Sequence, residues 1–459
     1  MPIAMRISGG TVVTAAGPVE ADVLVDDAGK IAGLVAHENP VDFAGEVVDA
    51  TGKLVLPGMV DVHVHTREPG YTHKEDIRTT TEQAAAGGVT TIFGMPNLDP
   101  PTTNRQRLDD VLALYAEKSL VDYNHNPAAT DPEAIEDMAR AGICAFKIYM
   151  VVDTGRSYPH PAGTGMHDHG HLLRMMDAIA PTGKRFIIHP HDQALMDYIE
   201  GEYLKRGENT PEGYASAYAA RDGVIWDTAV DVILRLSEAS GCPIHIAHMQ
   251  TRRSIEAVRR ARQRGVDVTC EVNHWALFLS TWADVQRLGP YALAYWVPDD
   301  AREAVWEGLR DGTIDMISSD HAPHTREEKE IGWTEMWSAH TGAPGIQYFY
   351  PMLLDAVNSG QLTLQRAVEA AALRPAQAFG LAATKGQIAV GLDADLVIAD
   401  MANPWVITND SVLSRCGWTP YDGRTCNVRI DRTFVRGNVV FADGQVVGKP
   451  GLAAMATAH

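Results

Sequence analysis

Between residues 55 and 370, short β-branched runs alternate with amphipathic stretches of helical period, and this constrains the fold more than any other feature of the chain. The runs fall at 54–64, 89–94, 121–124, 145–150, 185–189, 243–248, 267–272 and 313–318, each of strand length. The stretches between them carry helix punctuation. Asp131-Pro132 opens one helix that Gly142 stops, Thr251 caps another that Gly265 ends, and Gly87-Gly88 closes the one before Val89. Eight strands alternating with helices predict an α/β fold, specifically a (β/α)8 TIM barrel.

The flanks read differently. Short strands and turns are expected at 5–7, 11–14, 21–25, 30–35 and 46–49, and again at 387–390, 394–399, 427–432 and 439–441. Two β-rich pieces at opposite chain ends most simply form one small β-sandwich domain. The expected division is 1–54 and 376–459 (with a tail) for the sandwich, and 55–375 for the barrel. One long irregular segment, 151–170, follows the fourth strand and is rich in Gly, Pro and His. It reads as a loop over the barrel mouth. The histidines in and just after it (His160, His167, His169, His171) are too irregularly spaced for a metal site and fit a solvated lid.

A net charge of −20 argues against nucleic acid and against anionic membrane surfaces as partners. An anionic small molecule would then need a local positive site. The five cysteines (Cys144, Cys242, Cys270, Cys416, Cys426) show no CxxC or disulfide-like spacing, which fits reduced thiols. There is no signal-peptide core at the N-terminus and no apolar run of membrane-spanning length, so the expected location is the cytoplasm.

Barrel enzymes carry their chemistry at the C-terminal ends of the strands. Strand one ends in His63-Val64-His65-Thr66-Arg67, where alternation puts His63, His65 and Arg67 on one face. A lone His-x-His is weak evidence for metal. Here, though, strand four adds Lys147, strand five ends at His189, strand six at His248, and strand eight runs into Asp320. Packing does not explain such ligand-type residues gathered at one end of five strands. Lys147, inside Ala145-Phe146-Lys147-Ile148-Tyr149-Met150, has two readings of equal weight. It is a snorkelling or ion-paired lysine, or it carries a CO2-derived carbamate that bridges two cations.

The chain resembles the cyclic amidohydrolases of the amidohydrolase superfamily: dihydroorotase, allantoinase and hydantoinase. The motifs are Pro57-Gly58-Met59-Val60-Asp61-Val62-His63-Val64-His65, Phe146-Lys147-Ile148-Tyr149 and Asp320-His321-Ala322-Pro323-His324-Thr325. The likeness continues through Lys385-Gly386-Gln387-Ile388, Gly391-Leu392-Asp393-Ala394-Asp395-Leu396 and 417–423. The resemblance implies two Zn2+ ions, with Mn2+ or Co2+ as alternatives. His63, His65, carbamylated Lys147 and Asp320 would hold one ion, and Lys147, His189 and His248 the other. It also implies proton transfer by Asp320 and assembly as a homodimer or homotetramer.

Within the group, Arg67 and Met95-Pro96-Asn97 match the dihydroorotase branch. There Arg67, Asn97 and His324 would bind a substrate carboxylate. Hydantoinases instead rely on a Tyr shortly after the lysine, where this chain has Val151 and Val152. The segments 271–277, 295–300 and 190–192 depart from the dihydroorotase pattern. In them Trp275, Tyr295 and Trp296 either line the pocket, suiting a bulkier or aryl-fused ring, or pack under a loop. The expected reaction is therefore dihydroorotase-like opening of a carboxylate-bearing cyclic amide. The alternatives are a catabolic lactam or imide hydrolase, an allantoinase or hydantoinase, and a non-catalytic scaffold.

Overall fold

A computed structural model describes residues 2–39, 44–151, 163–292 and 299–458, with side chains of 299 and 300 excepted. The eight barrel strands are β1 (Met59–Val64), β2 (Val89–Gly94), β3 (Asp122–His125), β4 (Ala145–Tyr149), β5 (Arg185–His189), β6 (Ile244–Ile246), β7 (Val268–Val272) and β8 (Met316–Ile317). All pair in parallel, in the order β3-β2-β1 and β4-β5-β6-β7-β8. Parallel bridges Val64↔His321 and Ala128↔Lys147 join the two sheets, which closes the barrel. An apolar plug containing Val62, Phe93, Ala145, Ile187, Met316 and Phe379 fills its interior. The ligand-type side chains lie further along the same strands.

The run 54–64 is not one strand. It divides at Gly58, where an added Cβ would lie 2.2 Å from the Thr90 side chain. The part before the glycine, Leu54–Pro57, leaves the barrel and pairs with Leu396–Asp400 and Thr11–Thr14. It thereby becomes an interior strand of a seven-stranded sheet built from both chain ends: Gln445–Val446, Asn438–Ala442, Arg429–Val435, Leu396–Asp400, Leu54–Pro57, Thr11–Thr14 and Gly17–Glu20. A four-stranded sheet (Ile31–Val35, Asp22–Asp26, Ile3–Ser8, Glu46–Asp49) accompanies it. Ile7, Val23 and Val25 of the smaller sheet share one core with Val12, Leu396, Ile398 and Phe434 of the larger. This is the β-sandwich expected from the flanks.

Besides 54–64, two further expected strands differ strongly, and 243–248 shortens to Ile244–Ile246. Residues 387–390 form no strand: Ile388 is buried in the sandwich core, Val390 is exposed, and Lys385 just before them is drawn into an acidic cluster. The eighth barrel strand shrinks to Met316–Ile317 because the carbonyls of Ile314 and Asp315 accept from the Arg366 guanidinium, at 2.6 and 2.9 Å, instead of from a neighbouring strand. The helix punctuation does hold: Thr251 caps Arg252–Gln263 by accepting from Ser254 N, and Gly88 follows Ile77–Ala86 at φ 78°. A longer helix, Pro211–Ser240, breaks at 220–223, where Arg221, Asp222 and Gly223 all take positive φ. No described helix is long and apolar enough to cross a membrane.

Candidate functional site

His63 on β1 and His65 just past its end reach the barrel mouth with a proton-accepting partner at each Nδ1. His63 Nδ1 lies 2.6 Å from a Glu271 carboxylate oxygen, and His65 Nδ1 lies 2.8 Å from Asn97 Oδ1. Both partners only accept, so each fixes the ring proton on Nδ1 and leaves Nε2 bare. The two Nε2 atoms converge on the same atom, Asp320 Oδ1, at 3.3 Å each. Burial holds His65 neutral, its pKa pushed down to about 4. Three buried acceptors thus face one another with no donor between them, which is unfavourable unless a cation sits there. The three ligand atoms lie within 4.8 Å of one another, tight enough to share one ion.

The loop after β8 is aimed by Asp61. Its Oδ1 accepts from the backbone N–H groups of His63 and Ser319, at 3.2 and 3.1 Å, tying β1 to the residue before Asp320. Burial pushes the Asp61 carboxyl up to about 7. Asp320 closes this group, with Oδ1 turned to the two histidines. Its second oxygen accepts from Asn273 Nδ2 at 3.4 Å. Three residues here hold positive φ: Arg67 at 61°, His248 at 38° and Asp320 at 46°. Side chains disfavour that region, and its clustering marks a backbone shaped around a site.

The other expected ligands sit alongside. His248 Nε2 and His189 Nδ1 are 2.7 Å apart with rings nearly perpendicular, and the His248 ring centroid is 5.8 Å from that of His63. Lys147, on β4, is completely buried, and its Nζ has no hydrogen-bond partner among the described residues. It lies 4.8 Å from the centroid of the Tyr149 ring. Desolvation lowers its pKa to about 8, although Glu271 and Asp320 oppose that shift.

Beyond His65 lies a cluster of buried cations. Arg67 donates from Nε to Pro323 O at 3.1 Å and places Nη2 3.0 Å from His324 Nε2. Lys74 Nζ lies 3.2 Å from the other ring nitrogen of His324 and 2.6 Å from Glu328. Asn97 joins this region through His65, its oxygen being committed there. Trp275 is buried in the main core, its ring 4.0 Å from that of His274. Tyr295 and Trp296, like most of 151–170, lie outside the described residues.

Glu271, Lys74 and Glu328 did not emerge as site residues from sequence. Glu271 had a usable signal, a carboxylate inside the apolar run 267–272. A second group of carboxylates, Asp122, Asp393 and Asp395, also has metal-like spacing. There the cation is already present: Lys385 Nζ lies 2.7, 3.1 and 2.6 Å from the three. That cluster ties β3 to the sandwich.

With this geometry in view, comparison with known proteins gives a consistent answer. Residues 54–440 match the amidohydrolase family. An L-hydantoinase of Paenarthrobacter aurescens is 33% identical over 459 residues, covering 97% of this chain and 96% of the relative. A dihydroorotase of Methanosarcina acetivorans is 33% identical over 446 residues, covering 94% and 90%. Among solved structures, an L-hydantoinase (dihydropyrimidinase) from Arthrobacter aurescens superposes with a TM-score of 0.93 at 29% identity, over 99% of this chain and 100% of that one. A D-hydantoinase superposes with a TM-score of 0.89 at 28% identity, over 99% of each. The scaffold alternative is thereby set aside. The chain belongs to the metal-dependent amidohydrolase family and is a hydrolase of the C–N bond in cyclic amides.

Proposed function

We propose that this enzyme opens a cyclic amide bearing a carboxylate, in the manner of a dihydroorotase. The observation that carries the reading is the buried Arg67–His324–Lys74 cluster directly after the metal-ligand type His65. Lys74 has Glu328 as its ion partner, whereas the buried Arg67 guanidinium meets a carbonyl and a ring nitrogen and pairs with no carboxylate among the described residues, which favours an anionic group in the substrate.

On this reading His63, His65 and Asp320 hold one divalent ion, His189 and His248 a second, and Lys147 bridges them as a carbamate. The convergence of bare acceptors supports the first ion. For the bridge, a carbamate forms from a neutral amine, and burial, which lowers the Lys147 pKa to about 8, makes that form more accessible than in a solvated lysine. Zinc is the ion proposed. When bound, the ions supply Lewis acidity, lowering the pKa of a water and polarising a carbonyl.

The chain's own residues do the rest. Asp320, ionised and held by Asn273, takes the proton of the attacking water and passes it to the departing ring nitrogen. A C–O bond forms, the ring C–N bond breaks, and a new carboxylate remains. Arg67 orients the substrate's existing carboxylate, His324 acts by holding the Arg67 guanidinium, and the Asn97 amide N–H groups supply a further donor.

A second reading, hydrolysis of a neutral hydantoin, is favoured by the likeness to hydantoinases over nearly the full length of both chains. A panel of dihydroorotate, dihydrouracil, hydantoins, allantoin and aryl-fused lactam acids separates the two. The proposal expects turnover of acids; activity confined to neutral rings would replace it with the second reading.

A further inference from the structure

Arg67 orients a carboxylate only if its guanidinium is itself fixed, and the groups that fix it can be followed proton by proton. A guanidinium only donates, so the His324 Nε2 atom facing Arg67 Nη2 at 3.0 Å must be a bare acceptor. His324 is neutral: burial and the neighbouring cations Arg67, Lys74 and Lys329 hold it well below the usual imidazole range. A neutral imidazole has one N–H, which therefore sits on Nδ1. Two groups face that atom, Lys74 Nζ at 3.2 Å and Glu328 Oε2 at 3.3 Å. An ammonium has no lone pair to offer. Only the carboxylate can accept.

Glu328 is well placed for this task. Its Oε1 takes the Lys74 ammonium at 2.6 Å, and its Oε2 also accepts from the Thr325 backbone at 3.0 Å. The His340 ring stacks on His324 at 5.0 Å with planes 10° apart, and His340 Nε2 is 3.7 Å from Glu328 Oε1. Without an acceptor at 328, the best partner left for Nδ1 is Lys74, which donates to it. The ring proton then moves to Nε2, where it meets Arg67 Nη2 donor to donor.

Resting on the acidic-substrate reading above, we infer that Glu328 is a positioning residue: it holds His324 in the Nδ1–H tautomer and so pins Arg67 for an anionic substrate. The same carboxylate keeps Lys74 as a second positive charge beside the clamp. Neither residue touches the reacting atoms.

The test is the tautomer of His324, read by 15N NMR on zinc-loaded enzyme with labelled histidine and assigned by the signal lost in His324→Asn. Wild type should show a protonated Nδ1 and a bare Nε2. Glu328→Met should move the proton to Nε2, and kcat/KM for dihydroorotate should fall about tenfold more than for dihydrouracil, mostly through KM. Glu328→Gln keeps an accepting oxygen and should keep the tautomer. A wild-type His324 protonated on Nε2 overturns the inference even if Glu328→Met does not fold, as does a folded Glu328→Met with an unchanged tautomer. Should the tautomer respond as expected while wild type shows no preference for the acidic ring, the positioning role stands and the acidic-substrate reading fails.

Discussion

His63 and Glu271 are 208 residues apart in sequence, yet His63 Nδ1 meets the Glu271 carboxylate at 2.6 Å inside the barrel. The other carboxylate oxygen lies 3.1 Å from His245 Nε2, so one buried anion organises two imidazoles. Such partners hold a ligand's tautomer and raise its basicity. Glu271→Gln should therefore weaken metal binding by about 10–100-fold. Titration of the metal-free protein against a competing chelator measures this. Unchanged affinity would mean that the His63 proton is placed by something else.

Lys147 supplies a sharper case. Lys147→Ala should lose both bound metal and turnover, and a short carboxylic acid supplied to the variant should restore part of each by standing in for the carbamate. Metal analysis alongside activity decides it. A metal-replete, active Lys147→Ala protein excludes the bridging role.

Asp320→Asn preserves shape but removes the proton acceptor. Turnover should fall by at least ~100-fold, while metal content changes less than in His63 or His65 variants. Near wild-type turnover would place the proton shuttle elsewhere.

Away from the site, Lys385 contacts three buried carboxylates between barrel and sandwich, two of which also meet Lys30 and Arg436. Removing one partner of a buried ion cluster is costly, and Lys385→Met should destabilise the fold by about 3–5 kcal/mol. Denaturant unfolding measures it. The deficit should shrink in mild acid, because carboxyls buried without their lysine take up protons more readily than the unfolded chain does. A loss that does not vary with pH would mean that the three acids are not the cause.

How far these features were legible in sequence follows from their physics. Strand parity and turn chemistry are local, so the barrel, the strand-end histidines and the capped helices could be read directly. Gly58 was missed as a break because nothing in 54–64 shows that Thr90 crowds it. Trp275 reads in sequence either as a pocket residue or as packing under a loop, and its place on His274 in the core is information only tertiary contacts carry. Glu328 and Lys329 sit in an ordinary charged helix segment, Arg326–Glu330. Lys329 is buried and Glu328 half-buried, near His324, where segments 250 and 257 residues apart in sequence meet.

The most direct test compares kcat/KM for dihydroorotate and dihydrouracil, rings that differ in one carboxylate, on zinc-loaded wild type and Arg67→Met. A guanidinium–carboxylate contact in a partly dry pocket contributes roughly 1.5–3 kcal/mol, or about one to two orders of magnitude. Wild type should prefer the acid by about that factor, and Arg67→Met should abolish the preference with its metals still bound. Equal losses on both rings, or a wild type that favours dihydrouracil, would contradict the account.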